Sequence, residues 1–187
     1  WRMRKRISAF TAVELIVVIV VVGILAAVTV VVYQSAKEEG LTTHRANDMA
    51  QIQKALEAYR ARNGEYPSHA AAPAACRPTG WEDSGLCPDS FLSPLQPFLS
   101  DKAVIDPQNS SVNRYRYHRY AAGNSGCDAS KGEFYVLQVV GRASDPSISS
   151  SPGWTCPSRN WSSYSTAKWT AGSFTYKKNR LKLSACQ

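Results

Sequence analysis

One carboxylate stands at the head of an otherwise apolar run. Glu14 lies within FTAVELIVVIVVVGILAAVTVVVY, residues 10–33, and Thr29 is the one polar side chain from Leu15 to Val32. A charge at the centre of a bilayer costs about 2.5–3.5 kcal/mol on insertion scales, and less near the edge. The acid could snorkel to the interface, or it could pair with an opposite charge. We therefore treat Glu14 as the first candidate functional residue.

The apolar run is long enough to cross a membrane. A secretory signal peptide would have about 7–15 apolar residues followed by a small-x-small cleavage site. This run is longer and lacks such a site, so it predicts a signal anchor. Basic residues precede it, and the positive-inside rule keeps that end in the cytoplasm: Arg2, Arg4, Lys5 and Arg6. The rest of the chain is then expected outside the cytoplasm.

Five cysteines beyond the apolar run could form disulfides in that location. One is left over and the other four can pair in three ways, so fifteen arrangements are open. We expect Cys76–Cys87 and Cys156–Cys186, with Cys127 unpaired. No CxxC pair is present, so the spacing indicates no zinc site.

A long helix is expected to position Glu14. In a bilayer, a helix is the one structure in which a single segment satisfies its own backbone, and Gly23, Ala26 and Ala27 offer a flat patch for close helix packing. Apolar residues then recur at steps of three and four, which predicts an amphipathic half: Met49, Ile52, Leu56 and Tyr59. Asn63-Gly64 and Pro67 end the helix. Gly40 is the expected flexible point.

The remaining residues predict a small antiparallel sheet. Strands are expected over residues 113–122, 132–143 and 172–183, with a turn at 177–179. A connector with a short helix over 92–99 precedes them, and residues 144–166 are expected to form an exposed loop. The predicted fold class is α+β, with the long N-terminal helix packed against a small antiparallel β-sheet head.

Several motifs resemble those of the type IV pilins and of the related type II secretion pseudopilins. They are ISAFTAVELIVVIVVVGILAAV (residues 7–28), including GILAA, then ALEAYRARNGEYPS (55–68), and more weakly DP (106–107) followed by YRY (115–117). The resemblance is specific over residues 3–68 and architectural beyond them. Met3 is the expected natural start. The sequence departs from the usual pattern at Ala9, where the family has glycine, and at Val31, where many pilins have proline.

The resemblance implies how such a chain would be processed and assembled. A prepilin peptidase would cut between Ala9 and Phe10 and methylate the new Phe10 amine. Glu14 would then pair with the Phe10 amine of a neighbouring subunit and set the register of a helical filament of identical subunits. The expected partners are the prepilin peptidase and methylase, a pilus assembly platform and, for the monomer, membrane lipid. Residues 1–9 would be the leader, 10–33 the transmembrane and filament-core half, 34–67 the amphipathic half and 68–187 the head.

A ligand surface is a weaker prediction. The RYRYHRY strand and the basic C-terminal stretch combine cations with aromatic rings, which can bind single-stranded nucleic acid, although an ordinary half-exposed strand is the simpler interpretation. The candidate residues are Arg114, Arg116, Trp161, Trp169, Lys177 and Lys178. We expect no cofactor and no metal, because no DxDxDG calcium loop is present. Calcium bound in a late loop, which the resemblance to pseudopilins would imply, is the minor alternative. No GxSxG, HExxH or phosphate-loop motif occurs, so we expect no enzyme.

The resemblance therefore favours a structural pilin of a type IV pilus, which would mediate surface attachment or twitching motility. One alternative is a pseudopilin of a type II secretion or competence system. A second is a monomeric, membrane-anchored adhesion or binding protein. The expected location is the cytoplasmic membrane for the single-pass precursor, with the head outside, and an extracellular filament after assembly.

Overall fold

The chain was analysed as a computed structural model that describes residues 11–100, 104–141, 154–161, 163 and 167–173. These residues fall into two compact units, one ending at Gly40 and the other beginning at Leu41. Helix α1, Ala12–Asn63, runs through the boundary without interruption. The predicted long N-terminal helix is therefore confirmed.

In the first unit, α1 exposes its apolar side chains on every side. All described side chains from Thr11 to Lys37 are exposed, and the helix is long and apolar enough to cross a membrane. An apolar surface of this extent is normally covered by lipid or by another protein. This part of the chain therefore has the properties of a membrane anchor.

The second unit contains a four-stranded antiparallel sheet in the order β1-β2-β3-β6. Its strands are β1 Glu82–Asp83, β2 Arg114–Tyr120, β3 Phe134–Val140 and β6 Ala167–Ser173. A separate two-stranded ribbon consists of β4 Thr155–Cys156 and β5 Arg159–Asn160. The central pair is the longest, because β2 and β3 align from Arg114 opposite Val140 to Tyr120 opposite Phe134.

The main core lies between the sheet and the second half of α1. Met49, Ile52 and Leu56 on the helix pack in one cluster with Tyr115 and Tyr117 of β2, and all five are at most 2 % exposed. Successive side chains of a strand point to opposite faces, so the tyrosines face the helix and the intervening arginines face away. The predicted α+β fold class is confirmed.

Short 3₁₀ helices occupy much of the connector. The expected short helix over 92–99 is present as Ser93–Phe98. Within the described residues the connector also contains His69–Ala71, Ala74–Cys76 and Pro88–Ser90, and two more short helices, Asn124–Gly126 and Ala129–Lys131, lie between β2 and β3.

The structure corrects one of the two expected disulfides. Cys76 is bonded to Cys87, as predicted. Cys156, however, is bonded to Cys127 and not to Cys186. The backbone N–H of Ser158 donates to the carbonyl of Ser125 at 3.1 Å, so the ribbon lies beside the loop that contains Cys127. Cys186 lies outside the described residues.

Two predictions about the C-terminal region also need correction. The expected exposed loop over 144–166 contains the β4–β5 ribbon, and Trp161 after it is only 1 % exposed. The last described strand begins at Ala167 rather than at residue 172, because it pairs with β3 from Tyr135 to Val140. The turn expected at 177–179 lies outside the described residues.

Candidate assembly site

The predicted assembly site begins at the first turn of α1. The backbone N–H of Thr11 donates to Glu14 Oε2 at 2.8 Å, and Thr11 Oγ1 donates to the same oxygen at 2.7 Å. In return, the backbone N–H of Glu14 donates to Thr11 Oγ1 at 3.3 Å. This reciprocal arrangement is a capping box. The Glu14 carboxylate is thus oriented by its own helix end, where the helix dipole also favours a negative charge.

Thr11 is a site residue that the sequence interpretation missed. Its signal was present, because Thr-x-x-Glu directly before an apolar run is the sequence pattern of a capping box. Ala9 and Phe10 lie outside the described residues. Cleavage after Ala9, methylation of Phe10 and pairing of its amine with Glu14 therefore stay predictions.

Thr29, the polar side chain within the apolar half of α1, forms its hydrogen bond inside the helix. Thr29 Oγ1 donates to the carbonyl of Leu25 at 2.7 Å, a common way for a threonine to be accommodated in a helix. Gly23, Ala26 and Ala27 are spaced by three and four residues, so they share one side of the helix. Their exposure leaves this side open to a neighbouring helix, and the predicted packing role stays a prediction.

Gly40 lies inside the continuous helix. A Cβ placed there would meet no atom within 4 Å, so no close packing demands glycine at this position. The role of Gly40 as a flexible point stays a prediction, and alanine can be introduced there without a clash.

The end of α1 is fixed to the sheet by Tyr66. Gly64 adopts φ +82° and turns the chain out of the helix, a conformation that glycine tolerates well. Tyr66 is fully buried, and its backbone N–H donates to the Glu133 carboxylate. The Tyr66 ring packs edge-on against Tyr135 with a centroid distance of 5.0 Å, and its hydroxyl donates to Glu57 on α1.

The residues on either side of Tyr66 add further links. Arg119 of β2 pairs with Glu65 at 2.6 Å and with Glu133 at 2.7 Å. The carbonyl of Pro67 accepts a 2.7 Å hydrogen bond from the Tyr117 hydroxyl. We call residues 63–67, NGEYP, the helix-end clamp.

Two known proteins that match this chain share one name. It is 38% identical over 65 residues to the Type II secretion system core protein G of Pseudomonas aeruginosa, a match that covers 35% of this chain and 46% of that protein. It is 35% identical over 65 residues to the protein of the same name from Aeromonas hydrophila, with the same coverage. Both matches support the resemblance of this chain to the type IV pilin and pseudopilin family. It spans about half the length of the curated relatives it matches, and no family model and no solved structure matches it.

The arginines that were predicted as a ligand surface have acidic partners. Arg114 Nε and Arg116 Nε lie 2.8 and 2.9 Å from Asp83 Oδ2, and the Asp83 side chain is 2% exposed. The tyrosines between them, Tyr115 and Tyr117, are buried against α1. Because the tyrosine rings face the core, the RYRYHRY strand does not present them for stacking on nucleic acid.

The C-terminal part of the predicted ligand surface is only partly described. Trp161 is buried against the sheet, so the prediction that it belongs to an exposed surface was wrong. The side chain of Trp169, and Lys177 and Lys178 entirely, lie outside the described residues.

A buried ion pair joins α1 to the loop before β2. Arg45 Nε donates to Asp106 Oδ2 at 2.7 Å and Arg45 Nη2 donates to Oδ1 at 3.1 Å, with side chains 2% and 0% exposed. Arg45 Nη2 also donates to Gln108 Oε1 at 3.1 Å. The Asp106-Pro107 motif that resembles the family therefore has a structural role, because Asp106 neutralises a buried arginine.

One helical turn further, Asp48 links the helix surface to the core. Its Oδ2 lies 3.0 Å from His44 Nδ1 and accepts a 2.7 Å hydrogen bond from the Tyr115 hydroxyl. Burial raises the pKa of Asp48, although the hydrogen bond from Tyr115 opposes the shift. Burial raises the pKa of Tyr115 as well. The tyrosine is thus the proton donor in this contact.

Two other buried groups have strongly shifted pKa values. Burial raises the pKa of the Glu82 carboxyl to about 7, and the carboxylate accepts the backbone N–H of Leu92. Burial, together with the charge of His69, lowers the pKa of His118 to about 4. The two imidazole rings stack with a centroid distance of 3.7 Å. Both groups therefore link the stability of the folded head to pH.

No metal centre is present among the described residues, since no three of their His, Cys, Asp or Glu side chains are grouped to hold an ion. The described features that carry the resemblance to the family are the apolar helix with Glu14 in its first turn and the helix-end clamp.

Proposed function

We propose that this chain is a pseudopilin of a type II secretion system, a non-catalytic subunit that polymerises through the apolar half of α1. The observation that carries the proposal is the placement of Glu14, the acid of the capping box, at the head of an apolar helix exposed on every side. The matches to two type II secretion core proteins support the pseudopilin over the type IV pilin that the sequence first favoured.

The proposed mechanism uses the same helix twice. Before assembly, lipid covers its apolar side chains, and the head lies outside the cytoplasm. A peptidase removes the leader, and an assembly platform brings the new Phe10 amine of one subunit to Glu14 of another. A wrong register would leave buried charges unpaired, which is a large penalty in an apolar environment. No cofactor is part of this proposal.

The capping box determines which carboxylate oxygen of Glu14 a neighbouring amine can approach. Both hydrogen bonds from Thr11 reach the same oxygen, Oε2. The amine of a neighbouring Phe10 can therefore approach Oε1 while the box stays closed. In this mechanism Thr11 orients the carboxylate and Glu14 provides the charge.

The first test substitutes the acid. We expect Glu14→Ala to leave the full chain in the membrane and largely abolish filaments, because the register-setting charge is lost. Glu39→Ala is the matched control, since Glu39 is an exposed acid on the same helix outside the apolar run. The measurements are membrane fractionation and filament yield in a host that carries the secretion machinery. Normal filament yield from Glu14→Ala would contradict the proposal.

The second test separates a pseudopilin from a pilin. Deleting the gene should block protein secretion, and the unaltered chain at its natural expression level should give no long surface filaments in electron micrographs. Long filaments built mainly of this chain, together with normal secretion, would identify a major pilin instead. A DNA-uptake filament is less well supported, because the RYRYHRY arginines are paired with acids and two of its tyrosines are buried.

A further inference from the structure

A second hydrophobic cluster lies on the face of the sheet that points away from α1. We call this the outer face, and it includes Tyr120 of β2, Phe134 and Val136 of β3, and Gly172 of β6. Tyr120 and Phe134 stack with a centroid distance of 5.1 Å and an interplanar angle of 16°. The cluster therefore forms an aromatic surface that needs a covering of its own.

The covering is residues 154–161, which we call the cover. The ring of Trp161 lies 5.1 Å from that of Tyr120 and 5.8 Å from that of Phe134, and only 1 % of Trp161 is exposed. The ring of Trp154 lies so close to Gly172 that any Cβ at that position would overlap it. The cover thus contributes two tryptophans to the outer face, while the residues between them are mostly exposed.

The two disulfides have different relations to this surface. Cys127–Cys156 joins the β2–β3 loop to the cover across 29 positions of the sequence. The Ser158–Ser125 backbone hydrogen bond runs between the same two segments. Cys76–Cys87 closes an 11-residue separation around β1. One bond therefore fastens the cover, and the other stabilises a loop at the sheet edge.

We propose that Cys127–Cys156 is a redox latch that holds the cover over the outer face. A dithiol reductant of the thioredoxin class would supply two electrons. One of its thiolates attacks a sulfur of the bond, and its second thiol resolves the mixed disulfide. The products are two protein thiols and an oxidised reductant. The cover then opens and exposes Tyr120 and Phe134, while the core on the helix side stays folded. Exchange with the disulfide form of a protein of the same class, which takes the two electrons back and becomes a dithiol, closes the cover again.

The test uses hydrogen exchange on the full chain in detergent micelles. The working protein is C76S/C87S/C186S, in which Cys127–Cys156 is the remaining disulfide, and the matched control is C127S/C156S/C186S, in which Cys76–Cys87 remains. We expect dithiothreitol to speed exchange in residues 154–161 of the working protein on the order of thirtyfold or more. Exchange in residues 49–56 should not change, and the control should not respond in either region.

Two results would overturn the proposal. One is unchanged exchange in residues 154–161 after the mass of the protein shows complete reduction. The other is simultaneous loss of protection in residues 49–56, which would make the bond a general staple. If the working protein does not fold, stepwise reduction of C186S protein, with alkylation to identify the opened bond, distinguishes the same outcomes.

Discussion

At the residue scale, two residues that the sequence motifs include have partners that give each a clear physical role. Glu14 was singled out because an acid is out of place in an apolar run, and the structure supplies Thr11 as its partner. Asp106 was noticed within a family-like motif, and its partner Arg45 lies 61 positions away. The sequence revealed the unusual residues, but a partner distant in the chain could be identified only from the fold.

The Arg45–Asp106 pair gives a prediction about stability. Arg45→Met should lower the free energy of unfolding by about 3–5 kcal/mol, because it leaves the buried Asp106 charge uncompensated. Arg45→Met/Asp106→Leu should recover most of that loss, because neither charge remains buried. Urea unfolding of the full chain in micelles, followed by circular dichroism, measures both. A double variant as unstable as Arg45→Met would refute this explanation.

At the element scale, regular elements were predictable where one chain segment carries the whole pattern. The amphipathic spacing from Met49 to Tyr59 predicted the second half of α1, and the β-prone stretches predicted β2 and β3. β1 has only two residues and exists because β2 offers it a partner. The β4–β5 ribbon was read as an exposed loop, because its tryptophans find their packing partners only on the distant outer face.

Gly40 gives a prediction about α1. Gly40→Ala should strengthen the helix by about 1 kcal/mol, because glycine is the poorer helix former, and the added methyl meets no neighbour. If assembly uses flexibility here, filament yield should fall while hydrogen exchange at residues 38–43 slows. Thr43→Ala is the matched control, since it raises helix propensity nearby and keeps the glycine. Equal yields from the unaltered chain and Gly40→Ala would remove Gly40 from the mechanism.

At the scale of the whole molecule, pH acts on stability through opposing groups. Folding raises the pKa of Glu82 from 4.5 to about 7, so its contribution is present below pH 4.5 and is lost as pH rises through 7. Folding lowers the pKa of His118 from 6.5 to about 4, so its contribution is present above pH 6.5 and is lost as pH falls through 4. Between pH 4.5 and 6.5 the two effects oppose each other.

Substitution of either group should reveal the pH dependence of stability that the other group contributes. Glu82→Gln keeps a neutral side chain at all pH values, so its stability relative to the unaltered protein should increase by about 3 kcal/mol from pH 4.5 to 7. His118→Phe keeps the ring between His69 and Tyr120 and removes the titration. His118→Phe should therefore lose less stability than the unaltered protein as the pH falls towards 4. Urea unfolding across this pH range measures both effects. If the stability of Glu82→Gln and that of the unaltered protein changed equally with pH, the raised pKa of Glu82 would be contradicted.

The helix-end clamp also has a mechanical consequence. Tyr66 connects the end of α1 to Glu133, directly before β3, and Pro67 connects it to Tyr117 of β2. Force applied to the end of α1 is therefore distributed over several hydrogen bonds that act in parallel. The three residues after Gly64 make these links, so we expect the sheet to follow the helix end under load. A filament that grows by pushing would transmit force into each head through this joint.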